Sequence, residues 1–493
     1  MNSNNIKIVF GLKAKQKRVD LELTLQTLSK KSGLSVSYLN EIEKGKKYPK
    51  PEKITKLAVA LETTYEEMVS LKLEKKLALL GDIIQSNVLN ELPLEFFGVD
   101  SNKILTILSE APKKVNAFLS TLLELSRNNE LRNEHFYHTA LRSYQELNFN
   151  YFIDLEKLAV EYRKDRDVSI MNEGEIKNVL HSKYGYNFQE LDLAQYPELI
   201  SIRSILYPEK GNLLLINPNL SLAQRRFIFA RELSFNLLDV KVRPLTFSYN
   251  RIRSFDELHN NFRASYLSVS LLIDEARFID DIKDFFQTKK FDSKRIDKLL
   301  TKYQVTPEML LHRLTSILPK FFGIKSLFFL RFNNPRQEDY FSLSKELHLS
   351  KKHNPHGNRL GEHYCRRWVA LGVLKELNKN QKSGKGNKLV IRAQVSKYIG
   401  SENEYLCISI ARHMGPTPNV NSSVTLGLLV NKDLRKKVVF LNDLSIKIRE
   451  VNSTCERCPA ENCKDRVAES FVINNINAKE KVKGALSNLE SSL

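Results

Sequence analysis

Three cysteines near the C-terminus, Cys455, Cys458 and Cys463, stand in the run CERCPAENC. Thiolates at that spacing can meet one Zn²⁺ or one Fe–S cluster with a fourth ligand from elsewhere, for which Cys365, Cys407, His363 and His413 are candidates. Free thiols or a redox pair are the alternative. A second chemistry is cationic. Lys44, Lys46 and Lys47 follow directly on SVSYLNEIE and suit phosphate contacts, whereas Ser35, Val36, Ser37, Tyr38 and Asn40 begin a helix, where side chains reach base edges in a major groove. A third set, Arg366, Arg367, Arg392, Arg412 and Lys432, is scattered over a basic stretch. It suits nucleic acid or a phosphorylated small molecule.

The chain that must position these groups has 493 residues, 42% hydrophobic and 27% charged, enough for three or four compact units. It contains no apolar run of about 18 residues and its start has no apolar h-region, so a soluble, cytoplasmic protein without membrane contact is expected. Five cysteines in so long a chain do not make a disulfide framework and favour a reducing compartment. The net charge of +20 points to anionic partners. Lys and Arg outnumber Asp and Glu by 16 to 9 over residues 1–78 and by 17 to 5 over 351–440, so two separate regions hold most of the excess.

In the first of them, residues 22–71 read as short amphipathic helices, with Leu25, Leu28, Leu34, Leu39, Ile42, Ile54, Leu57, Leu61 and Met68 at helical spacings. Gly33 suits a turn with positive φ, and Ser35 suits the N-cap of the helix after it. The stretch GLSVSYLNEIEKGKKYPKPEKITKLAVAL resembles the Cro/repressor-type (XRE) helix-turn-helix family. The resemblance implies operator DNA as partner. The Gln that often opens the first motif helix is displaced here, with Leu25 in its place and Gln26 one position later as the candidate phosphate contact. From about 72 to 165 the pattern is predominantly helical, and KLEKKLALLGDIIQSNVL and VNAFLSTLLELSR are amphipathic stretches suited to a homodimer or to bracing neighbouring domains.

Farther along, SIRSILYPEKGNLLLINPNLSLAQRRFIFARELSFNLL reads as an extended hairpin, a Leu-Ser turn and an apolar helix, and FDELHNNFRASYLSVSLLID supplies a second helix. The order resembles the ImmA/IrrE-like metallopeptidase family. There, an H-E-x-x-H helix places two His on one face around Zn²⁺ and the Glu acts as general base on bound water. By that resemblance the first His falls on Arg231, the Glu is kept as Glu232, the second His falls on Phe235 and the third-ligand position on Asn261. A guanidinium offers no lone pair and Phe no donor atom, so the domain reads as a degenerate peptidase without a catalytic residue. Only a different register would bring His259 or Glu257 to the site. Arg231 and Glu232 then read as surface or interhelical polar groups on a helix whose core members are Phe227, Ile228, Ala230, Leu233, Phe235 and Leu237. A metal-free cleft that binds a ligand or peptide is the other possibility.

After a helical stretch to about Phe322, SLFFLRFNN, LVIRAQVSKY, EYLCISIARHM and SVTLGLLV read as strands, with a helix in EHYCRRWVALGVLKEL and a basic loop at NKNQKSGKGNK. The expected architecture is multidomain: an all-α helix-turn-helix bundle over 1–75, a helical middle over 76–150, a degenerate α+β zincin-like domain over 151–345 and a basic α+β domain over 346–493. The order of parts, with HYCRRW and the late cysteine pattern, resembles the short-chain fatty acyl-CoA regulator family. That implies a DNA-binding transcriptional regulator modulated by a metabolite, with an acyl-CoA as the candidate ligand. The alternatives are a peptidase-related enzyme that cleaves a repressor and an antitoxin-like interaction protein.

Overall fold

The computed structural model describes residues 3–70, 133–164, 171–247, 253–336, 338–349 and 361–492. The chain divides into two units, Met1–Ala140 with Ile252–Phe255 and Leu141–Arg251 with Asp256–Leu493. Both stretches expected to dimerise lie outside the described residues.

The first unit contains α1 (Ser3–Asp20), α2 (Leu25–Ser32), α3 (Val36–Glu43), α4 (Pro51–Ala60) and α5 (Tyr65–Val69). Its core gathers Leu28, Leu34, Leu39, Ile42, Ile54, Leu57, Leu61 and Met68, as the periodicity predicts, while Leu25 is half-buried against it. Helix α1 precedes the stretch 22–71 in which helices are expected and adds Phe10 and Ala14 to that core. Arg18 near the end of α1 forks onto both carboxylate oxygens of Glu43 at 2.7 and 2.9 Å, and Lys13 Nζ donates to the Glu67 carbonyl. Gly11 lets α1 approach α3: a Cβ there would lie 2.2 Å from the Ile42 carbonyl oxygen. Ala is normally the better helix former, but here backbone would have to move. Gly11→Ala is therefore expected to destabilise the bundle by about 1–3 kcal/mol, read as a lowered denaturation midpoint.

The second unit runs through α6 (Asn133–Leu147, shared with the first), α7 (Ile153–Lys164), α8 (Glu173–Tyr184), β1 (Asn187–Glu190), β2 (Ser204–Tyr207), β3 (Leu213–Ile216), α9 (Leu222–Leu237), β4 (Thr246–Phe247) and α10 (Phe255–Leu272). The expected hairpin is β2 against β3, in a four-stranded sheet of order β1-β3-β2-β4 where only β1 and β3 are parallel. The Leu-Ser turn works as expected. Ser221 caps α9 and Gln224 reciprocates in a capping box, which satisfies amides that the first turn leaves without helical partners. Helices α11 (Glu275–Phe286), α12 (Ser293–Tyr303) and α13 (Pro307–Phe321) follow.

The rest comprises β5 (Leu327–Pro335), β6 (Ser342–His348), α14 (Val369–Lys382), β7 (Val390–Tyr398), β8 (Glu404–His413), β9 (Val420–Leu429), α15 (Lys432–Lys437), β10 (Lys447–Val451) and α16 (Phe471–Ser492). One six-stranded sheet of order β10-β7-β8-β9-β5-β6 takes all its strands from this stretch. It runs across the boundary expected at 345/346, because β5 is held to both β6 and β9. Side chains alternate between its two faces. One face, with Phe328, Leu330, Tyr405 and Cys407, packs in a core with α14; the other, with Phe329, Ile408, Ile410, Val424 and Leu426, joins a larger core with α9 and α13. Two local expectations need correction. The helix expected from Glu362 starts only at Val369, because Tyr364 is drawn into a bridge with Thr454, and the basic loop expected from Asn378 is helical as far as Lys382.

Candidate functional site

The first candidate is the α2–turn–α3 motif. Thr24 caps α2 by accepting from the Thr27 amide, and Gly33 ends it at φ 69° with its amide on the Ser29 carbonyl. A side chain would be strained there, so the glycine fixes the turn. Ser35 caps α3 by accepting from the Tyr38 amide at 3.3 Å. Leu39 and Ile42 bury one face of α3, while Gln26, Ser35, Val36, Ser37, Lys44, Lys46 and Lys47 are exposed and Asn40 is half-buried.

Two members of the expected contact set are otherwise engaged. Lys47 pairs with Glu41 at 2.8 Å, and the Tyr38 ring leans on the core with the Lys53 ammonium 4.4 Å from its centroid. Tyr38 thus holds the helix in place and brings Lys53, which lies beyond the expected contact set, onto the same surface. The motif can offer α3 side chains to base edges, with Lys44 and Lys46 beside them for phosphate.

The second candidate is the α9 face. Arg231 and Glu232 are not on the surface: they are 1% and 2% exposed. The Arg231 guanidinium lies 4.6 Å from the ring centroids of both Phe235 and Phe247. Its Nη2 and Nε donate to Asn261 Oδ1 at 2.7 and 3.2 Å, joining α9 to α10. Glu232 accepts from Arg243 and from the Tyr186 hydroxyl at 3.2 Å, and Arg231 Nη1 stands 3.5 Å from its other oxygen. Burial pulls Arg231 down to about 10 against the opposing pull of Glu232. Burial also opposes the charge on Arg243, but Glu232 and Tyr186 more than offset it and leave its pKa raised. The four residues singled out from the sequence therefore meet in one buried cluster, joined by Arg243, Phe247 and Tyr186, which no spacing announced. His259 packs edge-on against Tyr144, where burial holds its ring down to about 4.

The third candidate, the basic C-terminal set, does not assemble. Arg366 is buried on Asp339 at 3.0 Å, Arg367 pairs with Asp465 at 3.2 Å and Arg392 with Glu376, while Lys432 is exposed on the short α15. Arg412 is half-buried, with Glu308 and Arg331 as its charged neighbours.

Cys455 and Cys458 are buried in a knuckle whose carbonyls are gathered by Arg466, Nη1 to Cys455 O at 2.8 Å and Nη2 to Cys458 O at 3.2 Å. The bridge between Tyr364 and Thr454 brings Cys365 alongside, its thiol pushed up to about 11 by burial and, more weakly, by Cys455 and Cys458. Cys407 lies away on β8, with its thiol against Ser396. Among the described residues no group of three or more His, Cys, Asp or Glu is gathered closely enough to hold a metal ion.

A helix-turn-helix bundle followed by a helix–hairpin–helix α+β fold defines the class: an XRE-type DNA-binding module on a chain with an IrrE/ImmA-like domain. Residues 15–68 match the family model described as helix-turn-helix, and residues 182–315 match the one described as IrrE N-terminal-like domain. No curated protein matches the chain. Among solved structures, one named "Mycobacterium tuberculosis transcriptional regulator" aligns at 17% identity and a TM-score of 0.48, over 68% of this chain and 94% of that one. Among the described residues no helix is long and apolar enough to cross a membrane.

Proposed function

We propose that the chain is a cytoplasmic, sequence-specific DNA-binding transcriptional regulator, a homodimer modulated by a small anionic metabolite for which a short-chain acyl-CoA is the candidate. The observation that carries the DNA half is the turn at Gly33 and the cap at Ser35, which together present Ser37 and Asn40 beside Lys44 and Lys46. We assign the IrrE-like domain a scaffolding role without hydrolysis. Glu232 is committed to Arg243, Arg231 and Tyr186, and Arg231 and Phe235 supply no metal donor. The domain limits we adopt are 1–75, 76–150, 151 to about 325, and the remainder, which keeps the six-stranded sheet whole.

Selecting bound fragments from a random duplex pool with the full chain tests this reading. The expected result is one enriched motif, repeated at a spacing of about one helical turn or a multiple of it if the reader is dimeric. Recovery of fragments without any shared motif would remove sequence-specific reading and leave only charge-driven binding.

A further inference from the structure

The sheet face that packs on α13 is apolar along most of its length and cationic at one end. Arg331 on β5 stands opposite Val424 of β9 and Lys345 of β6, and Arg412 on β8 stands opposite Ser422, two residues from Val424 and so on the same face. Arg331 Nε reaches Ser422 Oγ at 3.3 Å and its Nη2 reaches Met414 Sδ at 3.0 Å. From the IrrE-like side come Arg203, just before β2 with its guanidinium 5.2 Å from the Phe247 ring centroid, and Glu308, in the first turn of α13. Glu308 is 3.2 Å from both Arg331 and Lys345. The turn after β8 is held to the start of α9 by Gln224, which donates to the Gly415 carbonyl.

One carboxylate therefore faces four cations from four separate elements. Among the described residues, the side chains of Arg203 and Arg412 make no hydrogen bond or ion pair, yet neither is exposed: both are half-buried. Burial pulls Arg203 down to about 10, and its neighbours Arg331 and Arg412 add to the fall against Glu308. Burial likewise lowers Arg412, with Arg331 opposing its charge and Glu308 supporting it. Desolvated cations in excess of their counter-charges are costly, and each guanidinium presents a fork of donors suited to a planar or tetrahedral oxyanion. Arg331 and Glu308 keep 17% and 20% of their side chains in contact with solvent, so the recess is not sealed from water.

We propose that this recess is a binding site for a small-molecule anion carrying a phosphate or carboxylate group, held by Arg203 and Arg412 with Arg331 and Lys345 behind them. Such a ligand would bridge the IrrE-like domain to the six-stranded sheet and neutralise both at once. The site deepens the ligand half of the proposed function and rests on that reading for any effect on DNA.

Calorimetric titration of the full chain at fixed ionic strength, with inorganic pyrophosphate in one arm and succinate in the other, tests the site and tells phosphate from carboxylate. Saturable binding in at least one arm is expected, weakened about tenfold by Arg203→Met or by Arg412→Met and strengthened severalfold by Glu308→Gln, which removes the competing carboxylate. Without probe, Arg203→Met and Arg412→Met should melt no lower than the parent, since each relieves like-charge repulsion, so weaker binding would not reflect unfolding. Absence of saturable heat in both arms, or binding unchanged in the Arg203 and Arg412 variants, overturns the site. Binding at the recess that leaves operator affinity unchanged would support the site and sink the modulation reading. A response of DNA binding to an acyl-CoA that both arginine variants retain would do the reverse.

Discussion

Glu232→Gln is expected to lower stability by about 3–5 kcal/mol, the cost of removing one partner from a buried ion cluster and leaving the others without counter-charge. Glu232 is the acidic partner of both Arg231 and Arg243, and all three are desolvated, with side chains 2%, 2% and 11% exposed. The amide can still accept one hydrogen bond, so the loss is one of charge more than of shape. In a unit of this size the change should shift the melting transition that includes α9 by on the order of 10 °C. The comparison variant is Arg231→Met, which leaves Asn261 Oδ1 without its two guanidinium donors and the Phe235 and Phe247 rings without their cation but keeps Arg243 on Glu232. It should cost less. A Glu poised as a general base behaves otherwise: its removal leaves stability level or higher, because catalytic groups are held at the expense of stability. If Glu232→Gln melts like the parent, the scaffold reading of the IrrE-like domain is wrong.

The difference between what was legible and what was not follows from how local each feature is. The reader motif is written within about twenty residues: Thr24 and Ser35 accept from amides three positions on and Gly33 donates its amide to the carbonyl four positions back, so the sequence places them without help from the fold. The capping box at Ser221 and Gln224 was legible for the same reason. Helix α1 was not, because Gly11 lowers its helix propensity. Its role appears only when that glycine meets the Ile42 carbonyl. Arg231 followed the frame of a resembling helix, but its burial depends on Phe247 and Asn261, which arrive from two later elements. The basic C-terminal set failed more instructively. A sequence counts charges but not the carboxylates that meet them, and Asp339, Asp465 and Glu376 absorb three of the five cations. The recess draws one cation each from the β2 entry, β5, β6 and β8, so no window of sequence contains it; the one local sign is Arg331, a lone charge inside the apolar strand FFLRF.

Double substitution of Ser37 and Asn40 by Ala is expected to lower the ratio of specific to non-specific DNA binding by roughly a hundredfold or more, while Lys44→Gln with Lys46→Gln should weaken both kinds alike. The reason lies in where the groups stand. Ser37 is exposed in the first turn of α3 and Asn40 follows one turn later, half-buried at the edge of the same surface. Side chains there meet base edges, each well-made contact being worth about 1–3 kcal/mol of discrimination. Lys44 and Lys46 are exposed just beyond the end of α3, and a phosphate contact from each carries no sequence information. Their signature is salt: the slope of log affinity against log salt should fall by about 2 when both charges are removed, and by nothing in the Ser37 and Asn40 variant. Tyr38 separates structure from readout, since its ring leans on the bundle and carries Lys53. Tyr38→Phe keeps that packing and should retain most affinity, whereas Tyr38→Ala should lose stability before it loses specificity. Titrations of operator and scrambled duplex at several salt concentrations read all of these, and an unchanged specificity ratio in the Ser37 and Asn40 variant would show that α3 is not the element that reads the bases.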